Sequence, residues 1–168
     1  MNQVESNKQA KLSEHMTLGE LTRSKSHPEV YNMPSHVQIE NLKRVCVWLE
    51  ALRARYNERY VLTGARPQSE KGAGEEPIII TSGYRSPELN RKVGGVATSN
   101  HLTGCAVDIR VAGKEQLIRY ACILLDYADE THQDFDEILL EHGSNGVIWL
   151  HFAVRPQGNR RRINFLKA

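Results

Sequence analysis

The chain has 168 residues, 40% of them hydrophobic and 25% charged, the balance of a single globular domain large enough to bury a core without staples. A formal net charge of +2 is too small to imply a nucleic-acid or membrane partner, and no stretch approaches the roughly 18 apolar residues of a membrane span. Three scattered cysteines, Cys46, Cys105 and Cys122, with no CxxC spacing, indicate neither a disulfide framework nor a cysteine-rich zinc finger.

Residues 1–15 are polar and aperiodic, which predicts a loose tail ahead of a domain over 16–168. They contain no apolar h-region, so the expectation is a protein without an ordinary signal peptide, made in the cytoplasm. In MTLGEL, Thr17 and Glu20 have capping-box spacing and Met16 and Leu21 stand at the staple positions, predicting a short helix. Ser35 and Gln38 repeat that spacing. Val37, Ile39, Leu42, Val45, Cys46, Leu49 and Leu52 then recur at helical intervals, so a long amphipathic helix is expected to about Tyr56. The Gly-, Pro- and Glu-rich stretch 64–76 reads as an exposed loop, and PIIITS (77–82) as a buried strand.

Ser86, Pro87 and Gly94 or Gly95 frame a short helix. CAVDIRV is a strand, and a second long helix over 113–130 should turn Leu117, Ile118, Ala121, Cys122 and Leu125 inward. FDEILLE and VIWLHFAV, joined by HGSNG, predict a hairpin, and the basic NRRRINFLKA closes the chain as an exposed tail. The order of elements favours an α+β fold with a small, mainly antiparallel sheet packed with helices.

Strand parity puts chemistry on one face. Val107, Ile109 and Val111 share the core side of their strand, leaving Asp108 opposite beside the small Ala106. Ile148, Leu150, Phe152 and Val154 likewise leave His151 opposite, next to Ala153, with Trp149 on the same side as a candidate pocket wall. His101 lies in the loop entering the first strand, so one loop and two strands can aim His101, Asp108 and His151 at one point. Two imidazoles and a carboxylate suit a zinc ion with one coordination position open. The plainer alternative is a pair of hydrogen-bonded structural histidines.

SNHLTGCAVD resembles the SxHxxGxAxD signature of the M15 zinc peptidases, the D-Ala-D-Ala carboxypeptidases and related peptidoglycan-cleaving enzymes. ITSGYRSPELNRKVGG is similar to the SGYRS segment of that family, VIWLHFAV to its WxH strand, and MTLGELTRS and GNRRR to a compact branch. The resemblance implies the fold shared by those peptidases and the hedgehog signalling domain. It also implies zinc on His101, Asp108 and His151, and a monomer acting on peptidoglycan peptides, with no nucleic acid or membrane. Action at the wall would then need release through a partner export system, as for a phage-type lysin.

The resemblance further gives Arg85 as the arginine that contacts substrate or braces the site, its planar fork suiting a carboxylate. Asn100, where many relatives have glutamine, becomes a candidate donor to an oxyanion. Ser82 and Ser99 read as loop-shaping hydroxyls, and Cys105 as packing. One position departs: Ile148 stands where many members carry an acidic base, three residues before the last histidine. Glu137 and Glu141 share a face of the neighbouring strand, so Glu141 is the first candidate base, Glu137 the second and His142 an outside one. Bond specificity stays open between carboxypeptidase and endopeptidase. The rival reading, supported by Ile148, is a zinc-holding domain that binds cell-wall peptide or a protein partner without turnover.

Overall fold

The computed structural model describes residues 8–63 and 74–167. Helix α1 (Leu18–Thr22) forms as its capping box predicts: Thr17 N–H donates to Glu20 Oε2 at 2.8 Å, and Thr17 Oγ1 accepts from Glu20 N–H at 3.3 Å. Its staple residues Met16 and Leu21 are both buried. Of the segment expected as a tail, residues 1–7 lie outside the described residues. Ala10 to His15 are fastened down: Leu18 N–H donates to Ala10 O at 2.8 Å, and Ser13 Oγ and His15 N–H donate to Glu50 Oε1 at 2.5 and 2.8 Å. The anchor is a carboxylate far along the chain, which local composition does not reveal.

Helix α2 (His36–Tyr56) begins with Ser35 N–H donating to Gln38 Oε1 at 2.7 Å. Leu42, Val45, Cys46, Leu49 and Leu52 are buried as expected, joined by Trp48 and Tyr56. Val37 is exposed and Ile39 only partly covered, because the first turns of α2 serve another purpose. Gln38 Nε2 and Asn41 Nδ2 donate to the carbonyls of Leu102 and Thr103 at 3.0 and 2.9 Å, clamping the loop that carries His101. A π turn (Asn57–Val61) follows α2. Most of the expected loop 64–76 lies outside the described residues; at its far end Asn57 holds Glu76, accepting from its N–H and donating to its carbonyl at 2.6 and 2.9 Å.

Strand β1 (Ile80–Ser82) is shorter than the expected strand over 77–82, and its register with β2 shifts between Ile80 and Ser82. Helix α3 (Pro87–Lys92) is capped by Ser86 and followed by Gly94 at φ +74°. Then come β2 (Ala106–Arg110), α4 (Lys114–Thr131), β3 (Glu137–His142), β4 (Ile148–Ala153) and β5 (Arg162–Lys167). The inner face of α4 is Leu117, Tyr120, Ala121, Ile123, Leu124 and Ala128, whereas Ile118 and Cys122 are exposed. Two apolar stripes compete on this helix, and the one carrying Tyr120 and Leu124 meets α2, with Tyr56 and Tyr120 edge to face at 4.9 Å.

The sheet order is β1-β2-β4-β3-β5, and every pair is antiparallel except β3 with β5. The expected hairpin is β3–β4. The basic end, expected as an exposed tail, is a fifth strand parallel to β3. Long helices α2 and α4 cover one face of the sheet, where Val107, Ile109, Ile138, Leu150 and Phe152 are each fully buried. Full burial of such side chains contributes about 1.5–3 kcal/mol apiece. This α+β core leaves the opposite face of β2, β4 and β3 for polar residues. Among the described residues no helix is long and apolar enough to cross a membrane.

Candidate metal centre

Register builds the centre. Asp108 on β2 lies directly across from His151 on β4, which in turn lies across from Leu139 on β3. His101 arrives from a 3₁₀ turn (Asn100–Thr103) whose start is fixed by Ser99 Oγ, which accepts from His101 N–H at 3.3 Å. Gly104 ends that turn at φ +72°, and a Cβ there would stand 2.6 Å from the Gln38 carbonyl, so the glycine lets the loop sit against α2. Gly83 is as constrained, because a Cβ would meet Leu21 O at 2.2 Å, and its own carbonyl holds the first histidine.

His101, Asp108 and His151 are all buried, and one ligand atom from each lies within 4.8 Å of the others. His101 Nε2 and His151 Nδ1 stand 3.3 and 3.0 Å from Asp108 Oδ1. Behind each ring stands a further oxygen: His101 Nδ1 is hydrogen-bonded to Gly83 O at 2.7 Å, while His151 Nε2 is 3.3 Å from Glu137 Oε2 as an ion-pair neighbour, without hydrogen-bond geometry. Gly83 thus orients the His101 ring from behind, Glu137 stands behind His151, and one nitrogen of each ring is turned toward the Asp108 carboxylate. Outer partners of this kind are what metal-binding imidazoles require, and the donor set fits a divalent cation.

The electrostatics agree with that clustering. Burial opposes ionisation of Asp108, but His101 and His151 outweigh it and hold the carboxyl far below the usual range. Burial lowers His101, with Asp108 opposing the shift. Burial would also lower His151, yet Asp108 and Glu137 together hold it up at about 9. Arg85 Nη2 is 2.7 Å from Asp108 Oδ2, while its Nε donates to Ser82 Oγ at 2.8 Å. The arginine therefore braces a candidate ligand, and Ser82 and Ser99 are the loop-shaping hydroxyls their context suggests.

A cleft of about 610 Å³ opens over the cluster and is lined by Arg85, Glu137, Glu141, Trp149 and Arg160 among others. Glu141 faces Trp149 across the β3–β4 ladder, and burial raises its carboxyl above the ordinary value. Glu137, at the other end of β3, is held down to about 2, chiefly by His151. His142 is exposed and does not line the cleft. Cys105 is buried beside the cluster with its thiol raised by desolvation, consistent with packing.

Asn100 differs from its expected part as an oxyanion donor. Its Nδ2 donates to Asp136 Oδ2 at 2.7 Å and Glu137 Oε2 at 3.0 Å, and its Oδ1 accepts from Arg155 Nε at 2.9 Å. The amide is spent inside the protein. Asp136, wholly buried, was not singled out from sequence. The only signal is its position beside Glu137 at the start of a strand, with a run of arginines later in the chain.

No curated protein matches the chain. Residues 67–130 match the family model described as Peptidase M15. That span includes Arg85, His101 and Asp108 and stops before β3 and β4, which bring the third ligand and the nearby carboxylates. The matching segment is similar to the M15 peptidases, and the single α+β domain around it is consistent with a small fold of that type.

Proposed function

We propose that the protein is a zinc peptidase that hydrolyses a peptide bond in peptidoglycan stem peptides or cross-links. The observation that carries this reading is the convergence of His101, Asp108 and His151 in a cleft that also holds Glu141. Two imidazoles and one carboxylate are a three-ligand set that leaves a coordination position for substrate or water, and zinc is the cation they suit best. A bound zinc ion would supply Lewis acidity, polarising the scissile carbonyl and easing the ionisation of water.

Glu141 is the base in this reading. It lies in the cleft on the strand beside His151, and burial raises its carboxyl, which moves a general base nearer the pH at which it must both take and release a proton. It accepts the proton of the attacking water and returns it to the leaving amine. Trp149, across from Glu141, forms a wall against which the peptide lies. Arg85 braces Asp108 and lines the cleft, where its guanidinium can also meet a substrate carboxylate. In this reading the enzyme works as a monomer on peptides of the cell wall.

Incubating the zinc-loaded protein with purified peptidoglycan and identifying new termini by mass spectrometry tests the reading. Free terminal D-Ala would make it a carboxypeptidase, and cleavage inside stems or cross-links an endopeptidase. Ile148 supports a second reading, because it packs against the core where many relatives carry an acid. Tight binding of peptidoglycan with no new termini would establish that binding domain instead.

A further inference from the structure

Behind His151 lies a charged network that hydrolysis itself does not use. Glu137 is nearly buried at the start of β3. Its Oε2 stands 3.3 Å from His151 Nε2 and accepts from Asn100 at 3.0 Å. Its Oε1 accepts from Arg160 Nη2 at 2.8 Å and from Arg162 Nη1 at 3.2 Å. Arg160 is fixed in turn by a two-pronged pairing with Asp136, Nε to Oδ1 at 2.9 Å and Nη2 to Oδ2 at 2.8 Å. Arg155 Nε adds a further contact to Asp136 Oδ2 at 3.0 Å. Both arginines on Glu137 come from the end of the chain, and the parallel pairing of β5 with β3 sets Arg162 directly beside Glu137.

We propose that Glu137 is a positioning residue that orients His151 for the metal, and that Arg160 and Arg162 hold it there. The C-terminal segment would then tune the affinity of a site to which it contributes no ligand. A carboxylate already engaged by two guanidiniums and an amide has little freedom to shuttle protons, but it can fix the plane of a neighbouring imidazole and the nitrogen it presents. Without the arginines, Glu137 would keep only Asn100 and His151 against a buried charge beside Asp136, and would turn away or distort the ring. This inference rests on the metal-peptidase reading.

The test is zinc affinity of the folded apoprotein, measured by competition with a chromogenic chelator, together with the visible absorption of the cobalt-substituted protein. Glu137→Gln should weaken zinc binding about 10–100-fold, the range for outer-shell partners of metal ligands, and alter the cobalt bands. Arg160→Met should weaken binding in the same direction, and Glu137→Gln combined with Arg160→Met should be no weaker than Glu137→Gln alone. If Arg160→Met fails to fold because Asp136 is left unpaired, Arg162→Met carries the same comparison, since it leaves Asp136 engaged. Unchanged affinity and cobalt bands in folded Glu137→Gln, or losses that simply multiply in the double variant, would overturn the proposal. Failure of the parent protein to bind zinc would instead overturn the metal-peptidase reading.

Discussion

Glu137 and Glu141 stand four residues apart on the same face of β3, both in the cleft, yet their surroundings divide them. Glu137 is surrounded by donors and held down to about 2. Glu141 lies beside the Trp149 indole, and burial raises its carboxyl. Strand parity brings both to the cluster, but only the partners contributed by distant segments decide what each can do. A saturated carboxylate acts as a brace, while a desolvated one with few donors can exchange a proton.

The largest effect comes from removing what the two glutamates share. His101→Ala and His151→Ala should each abolish stoichiometric zinc, read by elemental analysis of the dialysed protein, and hydrolysis with it. Full retention of metal in both variants would leave the two carboxylates with no common centre to act on.

Glu141→Gln keeps the shape of the side chain and removes its basicity. It should slow turnover about 10²–10⁴-fold, as loss of a general base does, with zinc affinity nearly unchanged. Glu137→Gln should show the reverse emphasis, with weakened metal binding and turnover restored by excess zinc. If Glu137→Gln instead lowers kcat with zinc saturating while Glu141→Gln remains active, the roles are exchanged.

How much of this was legible in the sequence depended on the reach of each interaction. Capping boxes at Thr17 and Ser35 and the alternation in β2 and β4 are local, so helices and strand faces follow from spacing, which allows His101, Asp108 and His151 to converge, while the resemblance to the M15 peptidases is what makes them a ligand set. The inner face of α4 followed only in part: Leu117 and Ala121 are buried as expected, but Ile118 and Cys122 form a stripe as regular as the one with Tyr120 and Leu124, and only contact with α2 selects between them. Strand β5 was missed for a related reason. Its arginines read as a solvated tail until β3 supplies Glu137 and the preceding Asp136 as partners. The same distant partners turned Asn100 inward, away from substrate.

The pH profile sharpens the contrast by sign. Burial raises Glu141 above its ordinary 4.5, so the basic form is lost earlier as pH falls than it would be for an exposed glutamate. In the parent enzyme kcat/KM should therefore decline on the acid side along a limb displaced toward neutral pH. That limb should be absent from the residual activity of Glu141→Gln, measured at saturating zinc. A limb that persists unchanged in that variant would have to belong to another group, and Glu141 would lose its part as the base.

The smallest expected effect lies on the back of β5. Arg162 and Leu166 face the cleft, while Ile163 and Phe165 alternate to the other side and remain exposed, Phe165 at 76%. Phe165 pairs with Leu140 along the ladder, at the margin of the face that the helices cover. An exposed side chain with so little to lose should tolerate a polar replacement, so Phe165→Ser should change unfolding free energy by no more than about 0.5 kcal/mol, read by urea denaturation. Zinc affinity and turnover should stay at parent values, whereas Arg162→Met, on the opposite face of the same strand, should weaken zinc binding. If Phe165→Ser weakens metal binding as much as Arg162→Met, β5 supports the centre through general packing of the sheet edge, and the arginine contacts to Glu137 have no special part in it.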